Sequence, residues 1–282
     1  MSESLGVSSY GVHKDIQPAV QSIERLAKKF RLPTVAEQTA DRFLKAGQAE
    51  ALVTLAEVFE LEAQDRQRRR VERLRRASQL PPGKTFETLQ TSRFSKKLSS
   101  QLLELAGGAF VDRAANVVAF GLPGVGKSHV CCAIGHALVA AGRSVLFTPT
   151  FKLVQELLAA KRDLELPRRL KKLDNFEVLI LDDIGYVQQA PEEVEVLFTL
   201  FAERYERRSL MITSNLVFSE WEQIFKNPMT TAAAIDRVVH HATILEFKAS
   251  SYRSEQAKDR AKESDSSDED SPEPEKGESD DA

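Results

Sequence analysis

The stretch Gly121-Leu-Pro-Gly-Val-Gly-Lys-Ser128 decides the fold of this chain of 282 residues. It fits the pattern G-x-x-x-x-G-K-[ST], in which the backbone N–H groups of a glycine-rich loop surround phosphate oxygens. The apolar segment 116–120 before it is typical of a buried strand, and the small-residue segment 129–141 after it is typical of a helix. Such a helix directs the positive end of its dipole at the phosphates. The sequence therefore predicts that this chain binds a nucleoside triphosphate.

The residues of this loop are expected to share the work of phosphate binding. Lys127 is predicted to reach the β- and γ-phosphates, and the Ser128 hydroxyl is predicted to ligate Mg²⁺. No chemistry is assigned to the imidazole of His129, which closes the stretch. The predicted nucleotide-binding residues are Gly121, Pro123, Gly124, Val125, Gly126, Lys127, Ser128 and His129.

A second motif, Val178-Leu-Ile-Leu-Asp-Asp183, is typical of a buried strand that ends in two carboxylates. In a parallel sheet this places negative charge at the edge beside the phosphate-binding loop. Asp182 is then the predicted metal-site residue, which holds Mg²⁺ together with Ser128. Asp183 is predicted to act as the general base that polarises the attacking water. The alternative is a pair of turn-forming aspartates before Gly185.

Two further side chains are candidates for the same site. Asn215 follows the strand 209–214, from which its amide would face the γ-phosphate and the attacking water. An asparagine that merely caps the strand is the alternative. Arg237 lies on a predicted helix before the last strand and would present its charge to the nucleotide of a neighbouring subunit. Its alternative is a surface salt bridge with Asp236 or another carboxylate.

Short apolar segments alternate with helical patterns through the middle of the chain. This alternation predicts an α/β fold with a five-stranded parallel sheet covered on both faces and the nucleotide at the carboxyl ends of the strands. We interpret the segment 163–175, which contains Pro167 and a basic cluster, as a linker. The predicted strands are 116–120, 144–148, 176–183, 209–214 and 243–247.

The N-terminal part of the chain is predicted to be helical and basic. Two short amphipathic patterns between 18 and 46 are separated at Leu32-Pro-Thr34, where Thr34 is the expected N-cap. A longer helical pattern runs from 48 to 78, and Pro81-Pro-Gly83 ends it. These features predict a small helical domain over 1–83, followed by an ATPase domain over 84–258.

The second half of the long helix contains seven arginines in eleven residues, with Glu72 as the one acidic residue among them. We interpret these arginines as contacts to nucleic-acid phosphates. A plain exposed helix is the alternative. A membrane-surface helix is less well supported, because the segment has few apolar anchors. The predicted DNA contacts are Arg66, Arg68, Arg69, Arg70, Arg73, Arg75 and Arg76.

The net charge of −3 conceals a strong asymmetry. From Lys262 to Ala282 ten acidic residues face two lysines, so this end carries −8 and the rest of the chain about +5. The segment 259–282 is rich in serine and proline and is predicted to be a disordered acidic tail, either solubilising or partner-docking. No stretch approaches 18 uninterrupted apolar residues, so we expect a cytoplasmic protein without a membrane partner.

The order of these motifs resembles one known family. From about Leu32 to Lys258 the chain is similar to the IstB-like transposition helper ATPases, AAA+ proteins related to the helicase loader DnaC. The stretches that carry this resemblance are Leu32-Pro-Thr, Leu80-Pro-Pro-Gly-Lys84, Gly121 to His129, Val178 to Gly185, Ile212-Thr-Ser-Asn215, Ala234-Ile-Asp-Arg-Val-Val-His-His-Ala242 and Ser251-Tyr-Arg253.

The resemblance implies a function and several residue roles. It implies an AAA+ P-loop core that uses ATP and Mg²⁺, self-associates in an ATP-dependent manner on duplex DNA, and assists a separate transposase in target selection. It also implies that Asn215 is the first sensor, Arg237 a trans-acting arginine finger and Arg253 the second-sensor arginine.

Two departures from the family pattern accompany the resemblance. AAA+ ATPases usually carry glutamate at the position of Asp183, and the acidic tail is not part of the pattern. A replicative helicase loader of the DnaC type and a nucleotide-gated scaffold with little turnover are the alternative functions.

Overall fold

The structure, a computed structural model, describes residues 12–186, 190–225 and 227–248. The chain divides into two compact units, Met1–Arg73 and Leu74–Ala282. The predicted domain boundaries at 83 and 258 stay predictions. Arg253 and the predicted acidic tail lie outside the described residues.

The first unit is helical, as the sequence predicts. It contains α1 (Val12–Lys29), α2 (Pro33–Lys45) and most of α3 (Ala51–Ala77). The expectation that Thr34 caps α2 is wrong: Leu32 is the N-cap, and it offers no side-chain hydrogen bond. Pro33 occupies the first helical position, where its fixed φ favours the helix and its missing N–H is not needed.

A small apolar core holds these helices together. Ile23 of α1 and Leu52 of α3 are almost completely buried within it. Phe30 and Phe59 stack beside it, with 5.9 Å between the ring centroids. The first unit therefore has a core of its own.

The second unit is built around a five-stranded parallel sheet, which confirms the predicted α/β fold class. Its strands are β1 (Asn116–Gly121), β2 (Val145–Pro149), β3 (Val178–Asp182), β4 (Ser209–Ser214) and β5 (Ala242–Phe247). Its helices are α4 (Lys96–Ala106), α5 (Ala109–Asp112), α6 (Lys127–Ala140), α7 (Thr150–Arg162), α8 (Leu166–Leu173), α9 (Pro191–Arg204), α10 (Glu222–Phe225) and α11 (Pro228–Val239).

The strand order is β2-β3-β4-β1-β5. Strand β4 therefore lies between β1, which leads into the phosphate-binding loop, and β3, which ends at Asp182. The register pairs Leu181 with Ile212 and Phe120 with Ser214. Because all strands run in the same direction, the residues that follow them meet at one edge of the sheet.

Apolar side chains cover both faces of the sheet. Along β1, Val117 and Ala119 belong to the core on the side of α4 and α6, whereas Val118 and Phe120 belong to the core on the side of α7, α9 and α11. This alternation follows from the two-residue period of a strand. Strand β1 is thus buried on both sides.

Four of the described helices of this unit were not predicted, namely α4, α5, α8 and the short α10. The segment interpreted as a linker contains α8, in which Pro167 stands in the first turn and Leu173 is buried. Proline is compatible with a first turn, so its presence there does not break the helix. The helices α4 and α5 precede β1 in the chain and pack in the core on one face of the sheet. Among the described residues, no helix is both long enough and apolar enough to cross a membrane.

Candidate nucleotide-binding site

The loop between β1 and α6 has the backbone geometry of a phosphate cradle. Gly126 is the N-cap of α6 and has φ +102°. Gly121 has φ +150°, and a Cβ there would lie 2.6 Å from the carbonyl oxygen of Phe247 in β5. Both positions therefore require glycine, since a side chain would be strained at the first and would clash at the second.

Lys127 and Ser128 are the first two residues of α6, and the sequence predicts that both take part in nucleotide binding. Lys127 is 9% exposed, and its Nζ donates to the carbonyl oxygens of Gly121 (2.7 Å) and Leu122 (2.9 Å). The ammonium group thus already lies against the loop that would surround the phosphates. Ser128 is the second residue of α6 and is half-buried.

The rest of the predicted loop has structural contacts. Val125 is buried in the core beside α6, and Pro123 is exposed. The Nε2 atom of His129 lies 3.0 Å from the carbonyl oxygen of Thr85 and 3.1 Å from the hydroxyl of Thr88. The imidazole therefore fastens the segment before α4 to α6, and this contact needs no catalytic role.

An aromatic pair lies against this loop. Phe94 and Phe247 meet edge to face, with 5.6 Å between the ring centroids. A Cβ at Gly126 would lie 3.7 Å from Phe94. Both rings line a hollow of ≈ 540 Å³ between the start of α4 and the end of β5. Its volume is within the range of small-ligand pockets.

Thr213 contacts both aspartates at the end of β3, one through its carboxylate and the other through its backbone N–H. Its hydroxyl donates to Oδ1 of Asp182 (2.7 Å) and accepts from the backbone N–H of Asp183 (2.8 Å). Thr213 is 1% exposed, so solvent does not compete for these bonds. Thr213 is not among the site residues that the sequence predicts. The signal was present, because Thr213 places a hydroxyl in a strand that is otherwise apolar from Leu210 to Ile212.

Asp183 has an unusual environment for a carboxylate. Its φ of +61° lies in the left-handed region. Burial raises the pKa of its carboxyl group, the charge of Asp182 raises it further, and the charge of Lys127 lowers it. Its Oδ1 atom is buried and has no hydrogen-bond partner among the described residues.

Asn215 stands beside this carboxylate pair, directly after β4. Its Oδ1 atom is also buried without a partner in the described part of the chain. A Cβ at Gly185, which follows Asp183 by two residues, would lie 2.2 Å from this atom. Buried oxygens without partners are rare in proteins, and each needs an explanation. The two found here fit a site in which a bound water or a hydrated Mg²⁺ supplies the missing contacts.

Arg237 lies in the last turn of α11 and is half-buried. Its guanidinium donates to the carbonyl oxygen of Ala233 (2.9 Å) and lies 4.8 Å from the centroid of the Phe198 ring. No carboxylate of a described residue forms an ion pair with it. The salt bridge with Asp236 that the sequence left open as an alternative is therefore not what holds this side chain.

The predicted DNA-contacting arginines of α3 are all exposed. Several of them have carboxylate partners three or four residues earlier on the same helix, before the arginine-rich segment begins. Arg66 binds Glu62 at 2.6 Å, and Arg69 binds Asp65 at 2.9 Å. Arg68 also binds Asp65, at 2.5 Å. The segment is therefore less purely basic than its own eleven residues indicate.

Known proteins resemble the chain over most of its length. The family model described as IstB-like ATP binding protein matches residues 25–261. A protein of Sinorhizobium fredii (strain NBRC 101917 / NGR234), named as an insertion-sequence ATP-binding protein, is 43% identical over 246 residues, which cover 86% of this chain and 82% of the relative. A Pseudomonas aeruginosa protein, named as an ATP-binding protein of insertion sequence IS21, is 40% identical over 67% of this chain and 71% of its own length.

One solved structure illustrates the shared fold. The AMPPCP-bound DnaA from Aquifex aeolicus has a TM-score of 0.50 at 17% identity, over 66% of this chain and 57% of that chain. At this identity the likeness concerns the fold alone.

Proposed function

This chain belongs to the family of IstB-like ATP-binding proteins, and on that premise we propose that it hydrolyses ATP, assembles on duplex DNA and assists a transposase. The observation that carries the proposal is the arrangement at the carboxyl edge of the sheet. Lys127 begins α6, directly after the loop that follows β1. Asp182 ends β3 and Asp183 follows it, and Asn215 follows β4, the strand between β1 and β3.

Nucleotide binding rests on the loop. The loop N–H groups and Lys127 bind the β- and γ-phosphates, and the ammonium exchanges its loop carbonyls for phosphate oxygens. The base occupies the hollow lined by Phe94 and Phe247. Mg²⁺ held by Ser128 and Asp182 would neutralise phosphate charge during the reaction. Thr213 acts on this site by positioning Asp182 through the hydrogen bond that its hydroxyl donates.

Hydrolysis rests on Asp183 and Asn215. A water oxygen bonds to the γ-phosphorus, the bond from that phosphorus to the bridging oxygen breaks, and ADP leaves with the bridging oxygen. Asp183 accepts the proton that the water loses, and the burial that raises its pKa makes it a stronger base. The Asn215 amide orients the water and the γ-phosphate through the atom that lacks a partner.

Self-association completes the site. We assign Arg237 to the nucleotide of a neighbouring subunit, because its guanidinium is held by a carbonyl and an aromatic ring and its charge is not cancelled by a described carboxylate. Arg253 is assigned to the γ-phosphate as the second sensor, on the family resemblance alone. Both roles concern charge that develops in the transition state.

Two observations support the proposed partners. The arginines of α3 are exposed, and the segment 62–76 contains seven of them against three carboxylates, a net charge of +4. The relatives named above are ATP-binding proteins of insertion sequences. An element of that kind moves by transposition, so a transposase is the partner that we infer.

The test measures ATP turnover by the full chain alone, with duplex DNA and with single-stranded DNA of the same sequence. Duplex DNA is expected to raise turnover more than the single strand, because ATP-dependent assembly on duplex DNA brings Arg237 to the neighbouring site. A larger effect of the single strand would favour a helicase loader instead. Tight ATP binding without turnover under all three conditions would favour a nucleotide-gated scaffold.

A further inference from the structure

Three potential metal ligands meet where the turn after α9 approaches the end of α11. The residues are Glu206, His240 and His241, called here the His–Glu cluster. Their ligand atoms all lie within 4.8 Å of one another. The Oε1 atom of Glu206 is 3.6 Å from Nε2 of His241 and 3.9 Å from Nδ1 of His240. The proposed ATPase site uses none of these side chains.

The backbone that carries the cluster is fixed by one buried residue, Asn116 of β1. Its side-chain amide donates to the carbonyl oxygen of Val238 (2.9 Å), and its backbone N–H donates to that of His241 (3.1 Å). Its side-chain oxygen accepts from the N–H of Leu210 (2.8 Å), four residues after Glu206. The two segments that supply the ligands are therefore both fastened to the same point of the sheet.

We propose that the His–Glu cluster binds a divalent transition-metal ion of the Zn²⁺ class. Two imidazole nitrogens and one carboxylate oxygen, with water in the fourth position, form a ligand set typical of Zn²⁺. Ligand atoms about 2.0 to 2.1 Å from a tetrahedral ion lie roughly 3.4 Å apart. The two distances from Glu206 exceed this by about half an ångström or less, and all three ligand atoms lie within 4.8 Å of one another. All three side chains are exposed, so they can rotate toward a shared ion.

The surroundings of the cluster are compatible with a cation. Arg207, the nearest arginine in sequence, binds Asp174 at 2.7 Å and Glu203 at 3.4 Å, so its charge is compensated. The Tyr205 hydroxyl lies 2.8 Å from Nδ1 of His240 and its ring stacks on the imidazole, which limits the orientations of that ring. Metal binding through Nδ1 would exchange this hydrogen bond for a metal bond.

A bound ion would join the turn after α9 to the C-terminal end of α11. Arg237 stands on that end of α11, three residues before His240. The ion would therefore restrict the helix end that carries the proposed arginine finger. The binding site itself does not depend on the proposed ATPase function.

The test uses the full chain and Zn²⁺ alone, in competition with a chromogenic chelator. One Zn²⁺ per chain is expected for the parent protein. Glu206→Gln and His241→Gln should each weaken binding by at least about tenfold, the lower end of the effect of losing even an outer partner of a metal site. His136→Gln is the matched control, because His136 lies outside the cluster and bonds the Pro81 carbonyl. Asp182→Asn separates this site from the predicted Mg²⁺ site, and neither control should lose Zn²⁺ affinity.

Thermal unfolding with and without Zn²⁺ distinguishes a variant that has lost the metal site from a variant that does not fold. Zn²⁺ should raise the melting temperature of the parent and of both controls, but not that of the two cluster variants. If His241→Gln does not fold, Glu206→Gln alone decides, because Glu206 lies exposed in a turn. A folded parent that binds no Zn²⁺, or cluster variants that bind it as the parent does, would overturn the proposal.

Discussion

The carboxyl edge of the sheet and the arginine-rich segment 66–76 hold their charges in opposite ways. At the sheet edge, few charged groups are present, they are half-buried or buried, and two oxygen atoms have no described partner. On α3, seven guanidinium groups are exposed, and at least three of them, those of Arg66, Arg68 and Arg69, bind carboxylates of their own helix. The first arrangement leaves buried atoms without described partners, whereas the second already provides carboxylate partners on the surface of the helix.

Unpaired buried atoms and exposed ion pairs differ in energy, and therefore in the support that they give to ligand binding. An unpaired buried polar atom costs about 1 to 3 kcal/mol, so the unpaired oxygens of Asp183 and Asn215 support the proposal that a water or a hydrated ion binds there. Exposed ion pairs contribute about 0 to 1 kcal/mol, so the arginines of α3 can exchange carboxylates for phosphates at little cost. The ion pairs therefore do not exclude DNA binding, but they do not argue for it either.

The largest effect on turnover is expected from replacing Arg237, which we assign to the nucleotide of a neighbouring subunit. Arg237→Ala should lower turnover by about 10³- to 10⁵-fold, the contribution of arginine fingers in other NTPases. Nucleotide binding by single subunits should change little. The measurement mixes Arg237→Ala subunits with Asp183→Asn subunits, each inactive alone.

Activity should reappear in these mixtures, because one kind of junction combines an intact carboxylate with an intact arginine. The regained rate should follow the fraction of such junctions. Mixtures that co-assemble on DNA yet stay inactive would mean that Arg237 does not act in trans.

A smaller effect is expected from Thr213, which bonds the carboxylate of Asp182 and the backbone N–H of Asp183. Thr213→Val removes the hydrogen bond to Asp182 and the acceptor for the Asp183 N–H, with little change in volume. Turnover should fall by about 10- to 100-fold, as for other outer partners of metal sites. The Mg²⁺ concentration for half-maximal turnover should rise. Thr213→Ser keeps the hydroxyl and should restore both values; a serine variant as impaired as the valine variant would point to packing instead.

The smallest effect is expected on the exposed helix. Replacing Arg68, Arg69 and Arg70 by alanine should flatten the log–log salt dependence of DNA affinity by roughly 2 to 3 units, at about 0.9 per phosphate contact. The control replaces Arg42 and Lys45 of α2, which are also exposed basic residues. An unchanged slope would leave the segment as a plain exposed helix.

Much of the fold could be predicted because its strands are short apolar runs between loops with clear chemistry. The strand 209–214 was predicted at its observed bounds, and the family resemblance was confirmed. The helix α8 was missed because Pro167 was interpreted as a break, although a proline fits the first turn. The role of Thr213 depends on Asp182, which is distant in sequence and close in space. The pairing of the arginines depends on Glu62 and Asp65, which lie outside the arginine-rich segment. Neither relation is visible within a single motif.

The most direct test of the account measures ATP binding and ATP hydrolysis in parallel for Lys127→Ala and Asp183→Asn. Lys152→Ala and Asp163→Asn, at positions outside the site, serve as matched controls. We expect Lys127→Ala to lose ATP binding, because the phosphates lose their fixed counter-charge. We expect Asp183→Asn to bind ATP like the parent but not to hydrolyse it, since an amide cannot accept the proton of water. Hydrolysis at the parent rate by Asp183→Asn would contradict the assignment of the sheet edge as the catalytic site.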